Sequence, residues 1–175
     1  KLSHFRWLLL KIGKPSLLPR SNEELGVKPG PRHTRAGKTI SDMKWFEILQ
    51  KVEHPRIRAM LCLARHLGMR FEEASLFRPH VDAVAHHVWI RRGAKGGRPR
   101  YVVIRTGEQM FALEAAKALT SGTRGLIPPE FATYEKWRQY VYRQLRSVGI
   151  GRKTDTTFHD ARRTYAVIRM KHLIR

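Results

Sequence analysis

The sequence predicts a mainly α-helical domain carrying one small antiparallel β-sheet, an α+β arrangement, and three observations lead there. Several stretches repeat apolar residues at helical spacing between capping residues. Two short alternating segments, "HVWIRR" and "RYVVIR", flank the glycine-rich "GAKGGRP" and read as a hairpin. A run from Pro19 to Thr39 is rich in Gly, Pro and basic residues and nearly free of large apolar side chains. It reads as a linker between a lone N-terminal helix and everything after it.

In chain order, "LSHFRWLLLKIGKP" places Phe5, Leu8, Leu9 and Ile12 at helical spacing and stops at Gly13 and Pro15. One helix cannot make a core. Residues 1–18 are therefore expected to close an upstream domain, with a linker over 19–40 and the main domain over 41–175; the alternative is a helix packed on the main domain. The chain begins with Lys1 and reads as a piece of a longer protein. Ser41 caps "DMKWFEILQKV", and "HPRIRAMLCLARHLG" follows with Pro55 in its first turn and Gly68 at its end. A short helix, "FEEASLF", precedes Pro79 and the hairpin. Helical spacing resumes in "GEQMFALEAAKALT" and in "TYEKWRQYVYRQLRSVGI", where Trp137, Tyr140 or Val141, Leu145 and Val148 share a face and read as core. The last helix is expected from about Asp160, with Ala161, Tyr165 and Ile168 inward.

Lys and Arg number 35 against 14 Asp and Glu, a formal charge of +21 with a pI near 11.2. Such an excess points to a polyanionic partner, and nucleic acid is the default. No segment reaches the roughly 18 apolar residues of a spanning helix, and "WLLLKIG" is too short for a signal sequence. A cytoplasmic protein with no membrane partner is expected. Cys62, the single cysteine, has apolar neighbours and reads as buried filler, which excludes a disulfide framework and a thiolate zinc site.

A protein that breaks a nucleic-acid backbone gathers several cations around one phosphate, whereas one that only holds it spreads them. Arg70 and Glu73 form an Arg-x-x-Glu motif, and His159 and Arg162 form His-x-x-Arg. With 23 arginines, 10 glutamates and nine histidines in the chain, chance supplies about one match to each. Arg20 with Glu23, Arg105 with Glu108 and His172 with Arg175 are such matches, so neither motif decides anything alone. Arg70 also reads as a helix-end cation on free carbonyls, Lys95 as a solvated hairpin charge, and His159 with Arg162 as an ordinary helix start. His86 and His87 point to opposite faces of a strand and make a poor metal pair. Arg91, Arg92, Arg98 and Arg100 either keep an edge hairpin soluble or track phosphates.

Order and context give these parts their meaning. "GMRFEE" closes an apolar helix, Lys95 follows in "AKGGRPRYVVI", and "FHDARRTYA" opens a later helix. From about Ser41 to about Ala166 this resembles the catalytic domain of the tyrosine recombinases, the phage-integrase family. By the same likeness "LSHFRWLLLKIGK" resembles the closing helix of the core-binding domain that precedes it.

The resemblance implies site-specific DNA recombination or integration through a 3'-phosphotyrosyl intermediate, without metal or other cofactor and without a small-molecule substrate. Four aspartates and no carboxylate cluster agree with a metal-free mechanism. Arg70 and Arg162 would flank the scissile phosphate, and Glu73 would orient Arg70 or its loop. Lys95 would give a proton to the 5' oxygen; His159 would assist proton transfer or hold a phosphate oxygen. Lys38, Arg91, Arg92, Arg98, Arg100, Arg152, Lys153 and Arg163 would meet duplex DNA. The intact relative would assemble a homotetrameric synaptic complex on a bacterial nucleoid or a phage or other mobile element.

Two departures stand out. By the resemblance the nucleophilic tyrosine is expected a few dozen residues beyond the second arginine, after a further His or Trp, and the sequence ends at Arg175; Tyr165, three residues after Arg162, is no substitute, since it sits on the inward face of the same helix. Arg163 stands where many relatives carry histidine. A non-catalytic DNA-binding relative that regulates recombination is the second reading, and an unrelated basic RNA-binding protein the third.

Overall fold

The computed structural model describes residues 2–19, 21, 24–26, 38–151 and 153–173. The chain divides into two units, Lys1–Ala36 and Gly37–Arg175. In the first, α1 (Leu2–Lys11) forms where the apolar spacing predicts and stops before Gly13, whose φ is 73°. Arg6 donates to the carbonyls of Pro19 (2.8 Å) and Ser21 (2.7 Å) and so pins the returning chain. Most of the expected 19–40 linker lies outside the described residues.

The second unit is mainly helical around a small sheet, as the patterning predicts. Ser41 caps α2 (Asp42–Lys51) by accepting the Lys44 amide at 3.4 Å. Ile40, just before it, is buried, and its amide donates to the Thr164 hydroxyl at 2.9 Å. The central helix, α3 (Pro55–Leu67), buries Ile57, Met60, Leu61, Leu63, Ala64 and Leu67, and so must be covered on several sides. It begins with Pro55 in its first turn and ends at Gly68 in the left-handed conformation (φ 64°, ψ 31°). Then come α4 (Phe71–Leu76), α5 (Pro79–Asp82) and strands β1 (Ala83–Val84), β2 (His87–Ile90) and β3 (Arg100–Val103). The antiparallel order is β1-β2-β3, with Val88 opposite Val102 and Ile90 opposite Arg100. Val88, Ile90 and Val102 are buried, while Trp89 and Tyr101 stack on the other face, 5.6 Å between centroids. The third strand β1 and the turn into β2 were not legible: Ala85 takes φ 50° there, where turn chemistry favours glycine or asparagine.

Three helices complete the unit: α6 (Gly107–Lys117), α7 (Tyr134–Ser147) and α8 (Phe158–Leu173). Packing against α3 comes mainly from α8, α6 and α4. Trp137, Val141 and Leu145 are buried on α7 as expected, and Cys62 is buried. Burial pushes the Cys62 thiol up to about 11. The last helix starts two residues before Asp160, because the Asp160 carboxylate reaches back to accept the Thr157 amide and hydroxyl, each at 2.8 Å. Its expected inward stripe holds only in part. Ala161 is buried and Tyr165 half-buried, but Ile168 is 43% exposed, and Thr164 takes an inward position instead. From Ala166 to Lys171 no residue of α8 is buried, so the helix runs on past the elements that cover it. Among the described residues no helix is long and apolar enough to cross a membrane.

Gly68 joins α3 to the site in a position no other residue fits well. A Cβ there would overlap the Tyr165 ring and would sit on a left-handed backbone. Gly68→Ala should lower unfolding free energy by at least about 2 kcal/mol. A further Tyr165→Ala change should relieve the overlap but not the backbone strain. Urea titrations of the two variants separate these contributions.

Candidate active site

Glu73 is buried in the first turn of α4, 1% exposed, and its position follows from the helix start. Arg70 occupies the N-cap, and its amide donates to Glu73 Oε2 at 2.7 Å while its guanidinium donates to Oε1 at 2.7 Å. Arg100, at the head of β3, donates from Nη1 to Oε1 and from Nη2 to Oε2, both at 2.7 Å. Arg162 on α8 brings Nη1 to 3.6 Å from Oε2. One carboxylate therefore gathers three guanidinium groups, and two positive charges remain uncompensated. The side chains of Arg70, Arg100 and Arg162 are 39%, 30% and 24% exposed, so none of the three is fully enclosed.

The helix-end reading of Arg70 does not hold. Arg70 lies beyond Gly68 and opens the next helix, and it is Arg100 (3.0 Å) and Arg162 that donate to the Gly68 carbonyl at the end of α3. That carbonyl has lost its helical partner to the left-handed turn, which makes it a natural acceptor for a side chain. Thus Gly68–Glu73 joins two helix ends, a strand and α8 within a single polar contact set.

Lys95 is exposed on a 3-10 turn, Lys95–Gly97, and lines a cleft of about 540 Å³ together with Arg70, Glu72, Tyr134, Arg138 and Tyr142. His159 lines a neighbouring cleft of about 1050 Å³ with Lys153, Thr157 and Arg146, and Arg138 and Tyr142 belong to both. The wall between them is aromatic: Phe71 stacks on Tyr142 at 4.7 Å and meets Phe158 edge-on at 5.2 Å. The loop before α8 is closed by a bridge between Ile150 and Thr156 and by the Gly151 amide donating to the Thr156 carbonyl at 2.9 Å, which fixes where His159 emerges.

Arg163 donates to Asp160 at 3.1 Å, and exposed Lys38 pairs with exposed Asp155 at 3.0 Å. Arg91 donates to buried Asp82 at 2.9 Å and lies over the Trp89 ring. Arg92 and Arg98 are exposed on the hairpin, Lys153 is exposed, and Arg152 lies outside the described residues. Sequence reading missed the inward role of Arg100 as well as Arg138, Tyr142 and Phe71. For Arg100 a signal existed: the alternation that turns Val102 inward also turns Arg100 inward, and an inward arginine on a strand demands a carboxylate partner.

Charge sets the protonation states here. Burial would raise the Glu73 carboxyl, but hydrogen bonds from Arg100 and from the amide and guanidinium of Arg70 outweigh it and hold it at about 2. Burial, then the Arg70 and Arg100 charges, lower Arg162, with Glu73 opposing. Burial, then Arg163 and Arg162, lower His159, with Asp160 opposing and Arg70 adding to the shift. That shift favours the neutral form of the imidazole at pH 7. Tyr134 is pushed up to about 12, by burial first and then by Glu72. Because the folded Glu73 carboxyl lies below its ordinary value of 4.5, its contribution to stability is fully present above pH 4.5 and is lost as pH falls toward 2. Denaturant titrations at pH 6 and pH 3 should show Glu73→Gln removing stability on the order of 3 kcal/mol at pH 6 and about half of that or less at pH 3.

Comparison with solved structures supports this architecture. The lambda integrase catalytic core superposes with a TM-score of 0.57 at 18% identity, covering 77% of this chain and 84% of that one. A lambda integrase tetramer bound to a Holliday junction gives 0.61 at 17% identity over 97% of this chain, which spans only 51% of the length of that chain. XerA recombinase gives 0.52 at 16% identity, covering 86% of this chain and 57% of that one. No curated protein sequence matches. A mostly helical domain with a three-stranded antiparallel sheet is the fold these structures share with the chain. Residues 32–167 match the profile described as integrase. The chain therefore belongs to the integrase family, the tyrosine recombinases, whose business is DNA recombination.

Proposed function

We propose that the second unit is the phosphate-binding catalytic domain of a site-specific DNA recombinase, which in the intact protein cleaves and rejoins strands through a 3'-phosphotyrosyl link. The observation that carries this reading is the meeting of Arg70 and Arg162 beside Glu73, although Arg162 lies 94 residues from the Gly68 carbonyl it shares with Arg100. Two planar forks with a net positive surrounding suit the non-bridging oxygens of one phosphodiester, on which charge builds in the five-coordinate transition state. Glu73 holds the forks and does no chemistry. Lys95, across the cleft from the Arg70 side, protonates the departing 5' oxygen. A neutral His159 takes up the proton of the attacking hydroxyl. That hydroxyl belongs to a tyrosine of the intact protein C-terminal to α8. Tyr165 is ill suited to attack, because its ring is half-buried against Gly68.

Duplex DNA is the partner, met by Lys153, Arg92 and Arg98 on exposed surface, and the intact protein works as a homotetramer on paired sites in the cytoplasm. Residues 1–18 close an upstream core-binding domain, 19–40 link it, and 41–175 belong to the catalytic domain. An upstream domain that completes the clamp leaves this chain alone with weak, sequence-indifferent DNA affinity. If 6 to 10 phosphates are neutralised, affinity for a random duplex should fall about a thousandfold or more between 50 and 200 mM salt. The site itself is tested with inorganic vanadate, a tetrahedral oxyanion that mimics phosphate. Calorimetry should show binding to the chain, weakened by about 3 kcal/mol or more in Arg70→Ala and in Arg162→Ala. Equal affinity in all three proteins would remove the active-site reading and leave a basic DNA-binding domain.

A further inference from the structure

Resting on that reading of the phosphate site, we propose that Arg100 is a positioning residue: it saturates Glu73 and ties the Lys95 hairpin to the arginine pair, without touching the phosphate. Three features carry this. Arg100 makes a two-pronged contact to Glu73, one bond to each oxygen at 2.7 Å, whereas Arg70 reaches only Oε1 with its side chain and Arg162 stands off at 3.6 Å. Both Glu73 oxygens are thus engaged by Arg100, and the Oε2 lone pairs are shared between Arg100 and the Arg70 amide. With Arg100 absent, the remaining guanidinium beside Oε2 is that of Arg162, whose Nη1 stands 3.6 Å away while donating to the Gly68 carbonyl. Its guanidinium would close the 3.6 Å gap and turn inward, away from a phosphate.

The second feature is that Arg100 also donates to the Gly68 carbonyl at 3.0 Å, the same acceptor that Arg162 uses. It therefore fixes the direction from which Arg162 approaches. The third concerns the hairpin. Gly93 lies against the start of α4 so closely that a Cβ there would stand 2.8 Å from Glu72 Cγ and 3.0 Å from the Glu73 amide nitrogen, on a backbone with φ 68°. Gly93 before Lys95 and Arg100 after it are both moored to Glu72 or Glu73. The turn that bears Lys95 is suspended between two points on the helix that bears Arg70, so the lysine and the forks move as one body.

The experiment uses the 175-residue chain with arginine side chains labelled with nitrogen-15, and inorganic vanadate as the probe. In the unsubstituted chain, vanadate should shift the guanidinium signals of Arg70 and Arg162 and leave those of Arg100 in place. Arg100→Lys keeps the charge but has no fork, and Arg100→Gln removes the charge. Both should weaken vanadate binding by about tenfold or more, measured well below their melting temperatures, because each lets the Arg162 fork collapse onto Glu73. In both, the Arg162 signals should move before any vanadate is added. Arg70→Gln is the control for the site. If it leaves vanadate affinity unchanged, the phosphate site is wrong and the role of Arg100 falls with it. If it weakens binding while both Arg100 variants bind as the parent does and merely melt earlier, the site stands and Arg100 is structural only. A vanadate-induced shift of the Arg100 signals would make it a direct ligand and overturn the positioning role.

Discussion

Three guanidinium groups share one carboxylate that has almost no contact with water, and the geometry of the second unit is organised so that this can happen. A lone ionised carboxylate at that depth would be strongly disfavoured, and three arginines at that spacing would repel one another. Together they form a set in which burial of Glu73 becomes tolerable only because Arg70, Arg100 and Arg162 arrive from α4, β3 and α8. The balance is deliberately incomplete. Two charges remain, held in fixed directions in surroundings that partly exclude water, which is electrostatic preorganisation in its general form. The Gly68 carbonyl extends the set by taking donors from two of the three arginines. A helix terminus that would ordinarily be left to solvent thus becomes part of the frame.

The helices were legible because their signals are local. Ser41, Pro55 and Gly68 mark boundaries by their own chemistry, and the apolar spacing of α3 and α7 follows from the 3.6-residue repeat. Strand β1 was not, since a two-residue strand offers no alternation to read and Ala85 supplies a left-handed turn without the usual residue for it. The inward stripe of α8 was overextended because periodicity says which side chains share a face, not how far the neighbouring elements reach along it. The site shows the same division. Arg70, Glu73, His159 and Arg162 carry motif spacing, and the resemblance drew them into one reading. Arg100 carries none, so its partnership with Glu73 depends on strand register and on where α4 lies, both of which are tertiary facts. Arg138 and Tyr142 escaped notice for a related reason: an amphipathic helix shows which residues face outward, not which of them overlook a cleft.

The separation along the chain of the partners around Gly68 has a bearing on how the protein is made. Arg162 and Gly68 stand 94 positions apart, and closing so long a loop is entropically unfavourable until the intervening helices and hairpin have docked. During synthesis, α3, α4 and the hairpin can emerge and gather Glu73 with Arg70 and Arg100 while α8 is still inside the ribosome. The nascent domain at that stage has two of the three guanidinium groups around Glu73. A strongly basic chain therefore passes the ribosomal RNA with its guanidinium cluster only partly assembled, and Arg162 completes the set once α8 has emerged and docked.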